Sequence, residues 1–229
     1  MKLIKSIDEM RAIRKMLPAS VGFVPTMGYL HAGHIALVQE ARRKCSSVVT
    51  SIFVNPTQFG PKEDLSKYPR DLDRDFSLLE KKGVEVVWTP DNTVMYPDGY
   101  DTWVTVEAVS NTLEGEIRPG HFRGVATIVS KLFNVVQPDQ AYFGQKDAQQ
   151  AWLIKKMVKD LNFDIAINIE PTVREADGLA MSSRNVYLNP EERSAAPLIH
   201  KGLKKAHNAF KNGLIEAEKL AEIAASHIN

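Results

Sequence analysis

The sequence has a single cysteine, Cys45, among its 229 residues. One cysteine cannot form a disulfide within the chain, which excludes a disulfide scaffold and favours a structural thiol in a reducing compartment. No apolar run approaches the roughly 18 residues that a membrane-spanning helix requires, and the N-terminal residues do not begin an apolar secretion signal. We therefore predict a cytoplasmic protein with no membrane partner.

A surplus of one charge sign is also missing, because 29 Lys and Arg residues balance 28 Asp and Glu residues to a net charge of +1. Proteins that bind nucleic acid through its phosphates carry a basic field, so no nucleic-acid partner is expected. Internal repeats and low-complexity tracts are absent from the sequence as well. The apolar fraction of 44% is that of an ordinary globular protein with a sizeable core.

Short apolar runs alternate with amphipathic segments along most of the chain. Such runs are typical of strands buried in a parallel sheet, and they lie at 21–24, 48–54, 84–88, 140–143 and 165–169. With the helical patterns between them, they predict an α/β fold with a Rossmann-like doubly wound parallel sheet. Pro25 is expected to end the first strand, and the alternation at 102–106 predicts a short edge strand.

The stretch after the first predicted strand combines glycines with two histidines. Gly28 and Gly33 let the backbone turn tightly, while His31 and His34 lie three positions apart at a predicted helix start, so both can point to one side. Free N–H groups and the positive end of the helix dipole make such a turn an anion site. Two imidazoles there can donate charge-assisted hydrogen bonds to a phosphate.

Polar residues also follow two later strands. Asn55 and Gln58 come after the second run, at the strand end where α/β folds bind ligands, although Asn55 could instead simply cap a turn. After the fourth run, Lys146 and Gln150 flank a helix start and can face one crevice, which suits a nucleotide. The acidic residues between positions 71 and 75 are interpreted as favouring a helix N-terminus, so no protein metal site is predicted.

A glycine-containing loop after the last predicted strand ends in Met181-Ser182-Ser183-Arg184. Its two hydroxyls and its guanidinium are hydrogen-bond donors for a triphosphate. Arg184 stays charged at any working pH, so it could hold the negative charge that develops on pyrophosphate as it leaves.

Two of these motifs resemble signatures of one nucleotidyltransferase superfamily. His31-Ala32-Gly33-His34 resembles its HIGH motif, and Met181-Ser182-Ser183-Arg184 resembles its KMSKS loop. With further blocks in the same order, the chain is similar to the pantoate–β-alanine ligase family from about residue 20 to residue 190. Those blocks are Asn55-Pro56-Thr57-Gln58-Phe59, Arg118-Pro119-Gly120-His121-Phe122 and Tyr142-Phe143-Gly144-Gln145-Lys146-Asp147.

The resemblance implies a reaction in two steps. The carboxylate of pantoate attacks the α-phosphorus of ATP, pyrophosphate leaves, and pantoyl adenylate forms. The amine of β-alanine then attacks the acyl carbon and gives pantothenate and AMP. The family uses Mg²⁺ with its ATP, its partners are these small-molecule substrates, and a homodimer is expected.

The resemblance also implies roles for the motif residues. The catalytic proton donor would be His34, with His31, Lys146 and Arg184 acting at the phosphates. The ATP-binding residues would be Met27, Gly28, Tyr29, Leu30, His31, Ala32, Gly33, His34, Gly144, Gln145, Lys146, Asp147, Val173, Met181, Ser182, Ser183 and Arg184. Pantoate would be held by Gln58 and Gln150, with Asn55, Tyr68 and Glu114 as further substrate-binding candidates.

The expected organisation is a catalytic domain at 1–173, a hinge with the KMSKS-like loop at 174–188, and a partial helical lid domain at 189–229. Family members carry a small antiparallel sheet in the lid, and no strand pattern follows Asn185 here, so the lid is expected to be incomplete. Two alternatives stay open. One is a chain that binds ATP and pantoate with impaired turnover, and the other is a different small-molecule nucleotidyltransferase of the superfamily.

Overall fold

A computed structural model describes residues 1–228 of the chain. Contacts between its residues divide the chain into two compact units, Met1–Pro171 and Thr172–Asn229. Within the described residues, no helix is both long enough and apolar enough to cross a membrane.

The first unit is built on one sheet of six strands. The strands are β1 (Lys2–Ile4), β2 (Val21–Thr26), β3 (Ser47–Ile52), β4 (Val86–Trp88), β5 (Gln140–Gly144) and β6 (Ala166–Glu170). Their spatial order is β1-β4-β3-β2-β5-β6, and every pairing is parallel. The predicted Rossmann-like parallel sheet is therefore confirmed. The strand order reverses at β2, and the carboxyl ends of strands at such a switch point are where open α/β sheets bind ligands.

Helices cover both faces of this sheet. They are α1 (Ile7–Arg14), α2 (Ala32–Lys44), α3 (Leu72–Glu80), α4 (Asn92–Met95), α5 (Glu107–Ser110), α6 (Glu114–Ile117), α7 (His121–Val136) and α8 (Ala148–Asp160). Helices α1, α7 and α8 pack in one apolar cluster, which contains Phe133, while α2 and α3 pack in a second, which contains Leu79. Neighbouring strand residues such as Phe23 and Val24 join different clusters, because successive side chains of a strand point to opposite faces.

Two expectations about strands need correction, and one strand was not predicted. Strand β2 continues through Pro25, because its pairing with β5 ends at Phe23 and no partner on that side needs the missing proline N–H. The segment 102–106 forms no strand, since the backbone N–H of Val104 donates to Oγ1 of Thr127 on α7 at 3.0 Å. The sheet edge beside β4 is taken by β1, a three-residue strand that the apolar pattern did not reveal.

The second unit contains α9 (Pro190–Ala195), α10 (Pro197–Lys211) and α11 (Ala217–Ala225). Asn189 caps α9, because its Oδ1 accepts the N–H of Glu192 at 2.9 Å and the Glu192 carboxylate accepts the N–H of Asn189 at 2.9 Å. Helices α10 and α11 pack closely at Gly202, where a Cβ atom would lie 2.5 Å from the carbonyl oxygen of Ala224.

Candidate active site

The site at the carboxyl end of β2 begins with a sharp turn. Gly28 has φ of +84° and Tyr29 has φ of +48°, and such left-handed backbone is costly for a residue with a side chain. The N–H of Gly28 donates to Oγ1 of Thr26 at 3.2 Å. Helix α2 then starts at Ala32, with His31 as its N-cap. The turn therefore delivers the two motif histidines at the N-terminus of a 13-residue helix.

Backbone hydrogen bonds fix the tautomers of both histidines. Nδ1 of His31 accepts the N–H of Gly33 at 3.1 Å, and Nδ1 of His34 accepts the N–H of His31 at 3.2 Å. A ring nitrogen that accepts carries no proton, so the proton of each neutral ring lies on Nε2. The ring centroids are 4.0 Å apart. The turn thus carries two neighbouring Nε2–H donors.

Both imidazoles are uncharged at neutral pH in this structure. Burial lowers the pKa of His34 to about 3, and the charges of His31 and Lys146 act in the same direction. Burial also lowers the pKa of His31; Lys146 and Arg74 add to the effect, while Asp147 opposes it. The rings as they stand are therefore neutral donors, and in a hydrogen bond to a phosphate the charge would come from the phosphate. A phosphate beside them would raise both pKa values.

A buried carboxylate, Asp75, holds the turn in place. Its Oδ2 accepts the N–H of Tyr29 and its Oδ1 accepts the N–H of Leu30, both at 2.7 Å. Burial raises the pKa of Asp75, although these two hydrogen bonds act in the opposite direction. The neighbouring guanidinium of Arg74 lies 5.2 Å from the centre of the Tyr29 ring. Sequence analysis assigned Asp75 only to a helix start, because no local pattern marks partners 46 and 45 positions away.

The carboxyl end of β5, next to β2 in the sheet, supplies a second part of the site. Gly144 ends β5, and Gln145–Asp147 forms a short 3-10 helix before α8. Nζ of Lys146 donates to Oδ1 of Asp147 at 2.9 Å. Because Lys146 lowers the pKa of both motif imidazoles, its charge acts on both rings. The structure therefore brings the lysine into electrostatic reach of the two histidines.

Two neighbouring glutamines of α8 have different environments. Gln150, predicted to hold pantoate, is partly buried in the first turn of α8. Gln149 is a residue that sequence reasoning missed: its Oε1 accepts the N–H of Glu114 at 3.1 Å, and its Nε2 donates to the carbonyl oxygens of Val109 and Thr112 at 2.9 and 2.7 Å. It fixes the start of α6, which carries Glu114, against α8.

The loop after β3 carries two predicted substrate residues in direct contact. Asn55 is 1% exposed and caps the short 3-10 helix Pro56–Gln58. Its Nδ2 donates to Oε1 of Gln58 at 3.0 Å. Nε2 of Gln58 in turn donates to Sδ of Met27 at 3.3 Å. Asn55 therefore caps the turn, as one alternative expected, and also holds Gln58 against the turn that follows β2.

Tyr68, a further substrate-binding candidate, lies in the loop between β3 and α3. It is 7% exposed, and its ring meets Phe59 edge-on with centroids 6.0 Å apart, a geometry that aromatic pairs prefer. Because Phe59 directly follows Gln58, Tyr68 packs against the loop that carries the predicted pantoate residue.

Ion pairs connect Glu114 to the same loop. Arg118 donates from Nε and Nη2 to the two carboxylate oxygens of Glu63 at 2.8 and 2.6 Å, and from Nη1 to Glu114 at 2.6 Å. The hydrogen bonds from Arg118 lower the pKa of Glu63. Nδ1 of His121 lies 2.8 Å from the carbonyl oxygen of Gln58, and since a carbonyl only accepts, the ring donates. Arg118 thus binds carboxylates of the protein itself and helps to anchor the Gln58 loop.

The remaining predicted ATP-binding residues lie on a turn of the second unit. The N–H of Met181 donates to the carbonyl oxygen of Val173 at 3.0 Å. Ser182 caps the short 3-10 helix Ser183–Tyr187, because its Oγ accepts the N–H of Arg184 at 3.2 Å. Val173 and the serine-arginine motif therefore belong to one locally ordered turn.

Arg193 of α9 anchors this turn from outside the motif. Its Nη2 donates to Glu175 and its Nη1 donates to Asp177, both at 2.6 Å. Nδ2 of Asn185 also donates to Glu175, at 3.0 Å. These contacts connect α9 to both sides of the turn, and sequence reasoning did not find them.

Acidic side chains near the site do not form a metal cage. Among the described residues, no three His, Cys, Asp or Glu side chains come together in a way that could hold a metal ion. Asp147 is a partly exposed carboxylate whose charge acts on His31. Mg²⁺ is usually held by one or two carboxylates together with substrate phosphates. The donor set therefore fits a Mg²⁺ ion that arrives on a polyphosphate.

The chemistry available in the first unit is positioning and charge stabilisation. It offers two neutral N–H donors, one ammonium group, and the side-chain amide of Gln58 on the adjacent loop. Such groups can orient an anionic substrate and stabilise charge on a leaving phosphate.

Comparisons with known proteins agree on one family. A family model of pantoate–β-alanine ligases matches residues 2–229 of this chain. The pantothenate synthetase of Chloroflexus aurantiacus is 55% identical over 226 residues, which cover 99% of this chain and 80% of the relative. That of Acetivibrio thermocellus is 55% identical over 231 residues, covering 100% and 82%.

Solved structures are similar over the same length. The pantothenate synthetase of Thermus thermophilus has a TM-score of 0.95 and 48% identity, covering 100% of this chain and 82% of that one. The pantoate–β-alanine ligase of Francisella tularensis, described in complex with beta-gamma ATP and β-alanine, has a TM-score of 0.87 and 37% identity, covering 99% and 86%.

Proposed function

The chain belongs to the pantoate–β-alanine ligase family, and from that premise we propose how its residues carry out the reaction. As a ligase of this family, it joins pantoate to β-alanine with ATP. We propose that a pantoate carboxylate oxygen bonds to the α-phosphorus of ATP as the bond to pyrophosphate breaks. The neutral amine of β-alanine then bonds to the acyl carbon as the bond from that carbon to AMP breaks, and the nitrogen releases one proton to water and keeps the other as the amide N–H. Each substrate supplies its own nucleophile, so the protein needs none.

The observation that carries the proposal is the pair of Nε2–H donors on His31 and His34 beside the charge of Lys146. In this proposal the three groups hold the phosphates, and His34 donates its Nε2–H hydrogen bond to the charge that develops as pyrophosphate leaves. Transfer of a proton from this ring would require the bound phosphates to raise its pKa. The backbone of the turn at Gly28 and of the β5 end at Gly144 lies against the nucleotide. A preorganised hydrogen-bond donor of this kind contributes roughly 10²–10³-fold to a rate.

We assign the binding of pantoate to two side-chain amides. Gln58 and Gln150 would bind pantoate. A neutral amide can form hydrogen bonds with the hydroxyl groups of pantoate, and it does not compete with the pantoate carboxylate as a nucleophile. Gln58 would also serve β-alanine, with Tyr68 and Glu114 at the same end. Support comes from the position of Gln58, whose Nε2 already reaches Met27 in the turn after β2.

The serine-arginine motif is assigned to the phosphates of ATP. Ser182, Ser183 and Arg184 supply hydroxyl and guanidinium donors, and Val173 would contact the adenosine. The permanent charge of Arg184 would stabilise the departing pyrophosphate. In this proposal residues 174–188 act as the hinge that carries the motif, and residues 189–229 as the lid domain.

Mg²⁺ would be bound through the ATP phosphates, with Asp147, the ion-pair partner of Lys146, as the candidate carboxylate. When bound, it neutralises phosphate charge and polarises the phosphorus–oxygen bonds. The protein contributes the hydrogen-bond donors and the lysine around it.

The test is isotope exchange between pyrophosphate and ATP, first with pantoate and without β-alanine, and then AMP release when β-alanine is added. Exchange that requires pantoate, followed by AMP release, is the expected result. His34→Ala should abolish most of the exchange, whereas the exposed residue His207 provides a matched control substitution in α10.

Other outcomes would contradict the proposal in distinct ways. ATP binding without exchange would identify a chain that binds but does not turn over. Exchange supported equally by another acid or by a phosphate would identify a different nucleotidyltransferase. The homodimer and the cytoplasmic location remain predictions, which sedimentation and cell fractionation would test.

A further inference from the structure

A chain of hydrogen bonds runs behind the predicted pantoate residue. The hydroxyl of Tyr96 donates to Oδ1 of Asn55 at 2.8 Å. Nδ2 of Asn55 donates to Oε1 of Gln58 at 3.0 Å, and Nε2 of Gln58 donates to Sδ of Met27 at 3.3 Å. Tyr96 lies outside every sequence motif, 41 positions after Asn55. In each of these three hydrogen bonds the acceptor lies on the side of the turn that follows β2, so the chain ends with an N–H group of Gln58 directed at that turn.

Backbone groups determine the polarity of this chain. The N–H of Thr57 can only donate, and it donates to Oδ1 of Asn55 at 3.4 Å. The carbonyl of Gly124 can only accept, and it accepts from Nδ2 of Asn55 at 3.2 Å. A flipped Asn55 amide would place donor against donor and acceptor against acceptor. Asn55, which is 1% exposed, therefore has one allowed orientation.

The orientation of Asn55 sets that of Gln58. Because Nδ2 of Asn55 faces Gln58, only the carbonyl Oε1 of Gln58 can meet it. Nε2 of Gln58 then points the other way, where its partner is the thioether of Met27, a weak acceptor. An oxygen of a bound acid would replace this sulfur as a better acceptor.

The hydroxyl of Tyr96 makes the shortest hydrogen bond to Oδ1 of Asn55, at 2.8 Å, and shares that oxygen with Oγ1 of Thr57, which donates to it at 2.9 Å and lies 3.1 Å from the Tyr96 hydroxyl. Burial raises the pKa of Tyr96 to about 12, so its hydroxyl keeps its proton at any working pH. The ring is held by Phe53, with centroids 6.4 Å apart, and by Tyr100, at 5.0 Å. The hydroxyl is thus directed at Asn55 by packing that does not depend on the ligand.

We propose that Tyr96 is a positioning residue that acts through Asn55 to hold the Gln58 amide with its Nε2–H group, and not its carbonyl, facing the organic acid. The site then selects a hydrogen-bond acceptor at this point, either a carboxylate or a hydroxyl oxygen of pantoate. This inference rests on the proposed function only for the identity of the acid, because the orientation itself follows from the hydrogen bonds of the Asn55 amide to Tyr96, Thr57 and Gly124.

The first test needs no turnover. In ¹⁵N-labelled protein without substrates, the side-chain amide signal of Gln58 is identified by its loss in Gln58→Ala. Tyr96→Phe removes one hydroxyl and keeps the ring, and it should shift this signal. Tyr100→Phe makes the same change in the adjacent ring, whose hydroxyl takes part in none of the hydrogen bonds found among the described residues, and it should leave the signal in place. An unmoved signal in Tyr96→Phe would overturn the proposal.

The second test separates positioning from general damage. Tyr96→Phe should raise the KM for pantoate about three- to tenfold, the range of one lost hydrogen bond, and leave the KM for ATP within about twofold. In a protein that already carries Gln58→Ala, Tyr96→Phe should cause no further change in the KM for pantoate. An equal rise in both KM values, or the same rise in the Gln58→Ala background, would show that Tyr96 does not act through Gln58. Wild-type protein without pantoate-dependent exchange would refute the proposed function, and the amide signals would still decide the role of Tyr96.

Discussion

The buried carboxylate of Asp75 accepts the backbone N–H of Tyr29 at 2.7 Å, although 46 positions separate the two residues. Tyr29 has left-handed backbone at φ +48°, so the hydrogen bond stabilises a conformation that a tyrosine rarely adopts. The carboxylate also lies where a Cβ atom on Gly28 would come within 3.2 Å of it. The geometry of the histidine turn therefore depends on a residue at the start of another helix.

We predict that Asp75→Asn lowers the rate of pantoate-dependent exchange about tenfold or more. An asparagine offers one acceptor and one donor to two N–H groups, so one of them loses its buried partner at a cost of about 1–3 kcal/mol. The measurement is exchange rate together with the thermal midpoint. Asp73→Asn is the control, because Asp73 is exposed in the same helix. Equal exchange rates in the two variants would rule out a positioning role for Asp75.

We expect His34→Ala to slow adenylation much more than it weakens ATP binding. Its Nε2–H would act on charge that develops as pyrophosphate leaves, which is a transition-state interaction. A rate loss of about 10²-fold with an ATP dissociation constant changed less than about threefold is the expected pattern. Single-turnover adenylation and calorimetric ATP titration would measure the two quantities. An unchanged adenylation rate would remove His34 from the proposed role.

Acid should destabilise the protein partly through His34. The folded-state pKa of about 3 lies below the ordinary value of 6.5, mainly because the ring is buried. The unfolded chain therefore binds a proton that the folded chain does not, and stability is lost as pH falls from about 6.5 toward 3. Above that window His34 contributes no pH dependence. Urea unfolding at several pH values should show a shallower loss below pH 6.5 in His34→Gln than in wild type, and parallel curves would contradict this assignment.

Gly124 permits the contact between α7 and the Gln58 loop. A Cβ atom at this position would lie 2.5 Å from the carbonyl oxygen of Thr57 and 2.7 Å from the backbone nitrogen of Gln58. We predict that Gly124→Ala lowers the free energy of unfolding by about 1–3 kcal/mol and raises the KM for pantoate. Gly60→Ala is the control in the same loop, since its Cβ would meet only Glu63 atoms at 3.6 Å or more. Equal urea midpoints for the two variants would contradict the close contact.

Sequence patterns were sufficient where the determining interactions are local. The apolar runs around Phe23 and Tyr142 predicted parallel strands because buried strands are continuously apolar. The glycines and histidines between Gly28 and His34 predicted the turn and the helix start, because both depend on neighbours within a few positions. These local signals gave the parallel sheet and one part of the phosphate end of the candidate site.

The remaining features depend on contacts that no local pattern records. Asp75, Gln149 and Tyr96 act on residues 35 or more positions away, so their roles appear only once the chain is folded. The error at Pro25 has the same origin, since a proline is tolerated there only because the pairing with β5 has already ended. The protonation of the histidines also could not be predicted, because it depends on burial and on the charge of Lys146.

The strand order has a consequence for how this protein refolds. The motif histidines follow β2, and Lys146 follows β5. The two strands pair at positions such as Gly22 with Gln140. Beside this pair, the N–H of Val21 donates to the carboxylate of Asp139, 118 positions later in the chain. Closing a loop of that length is slow, because its entropy is lost before the contacts form. After dilution from denaturant, helical circular dichroism should therefore return before the capacity to bind ATP. Nucleotide affinity would report the last long-range step of refolding, when the two halves of the phosphate site first meet.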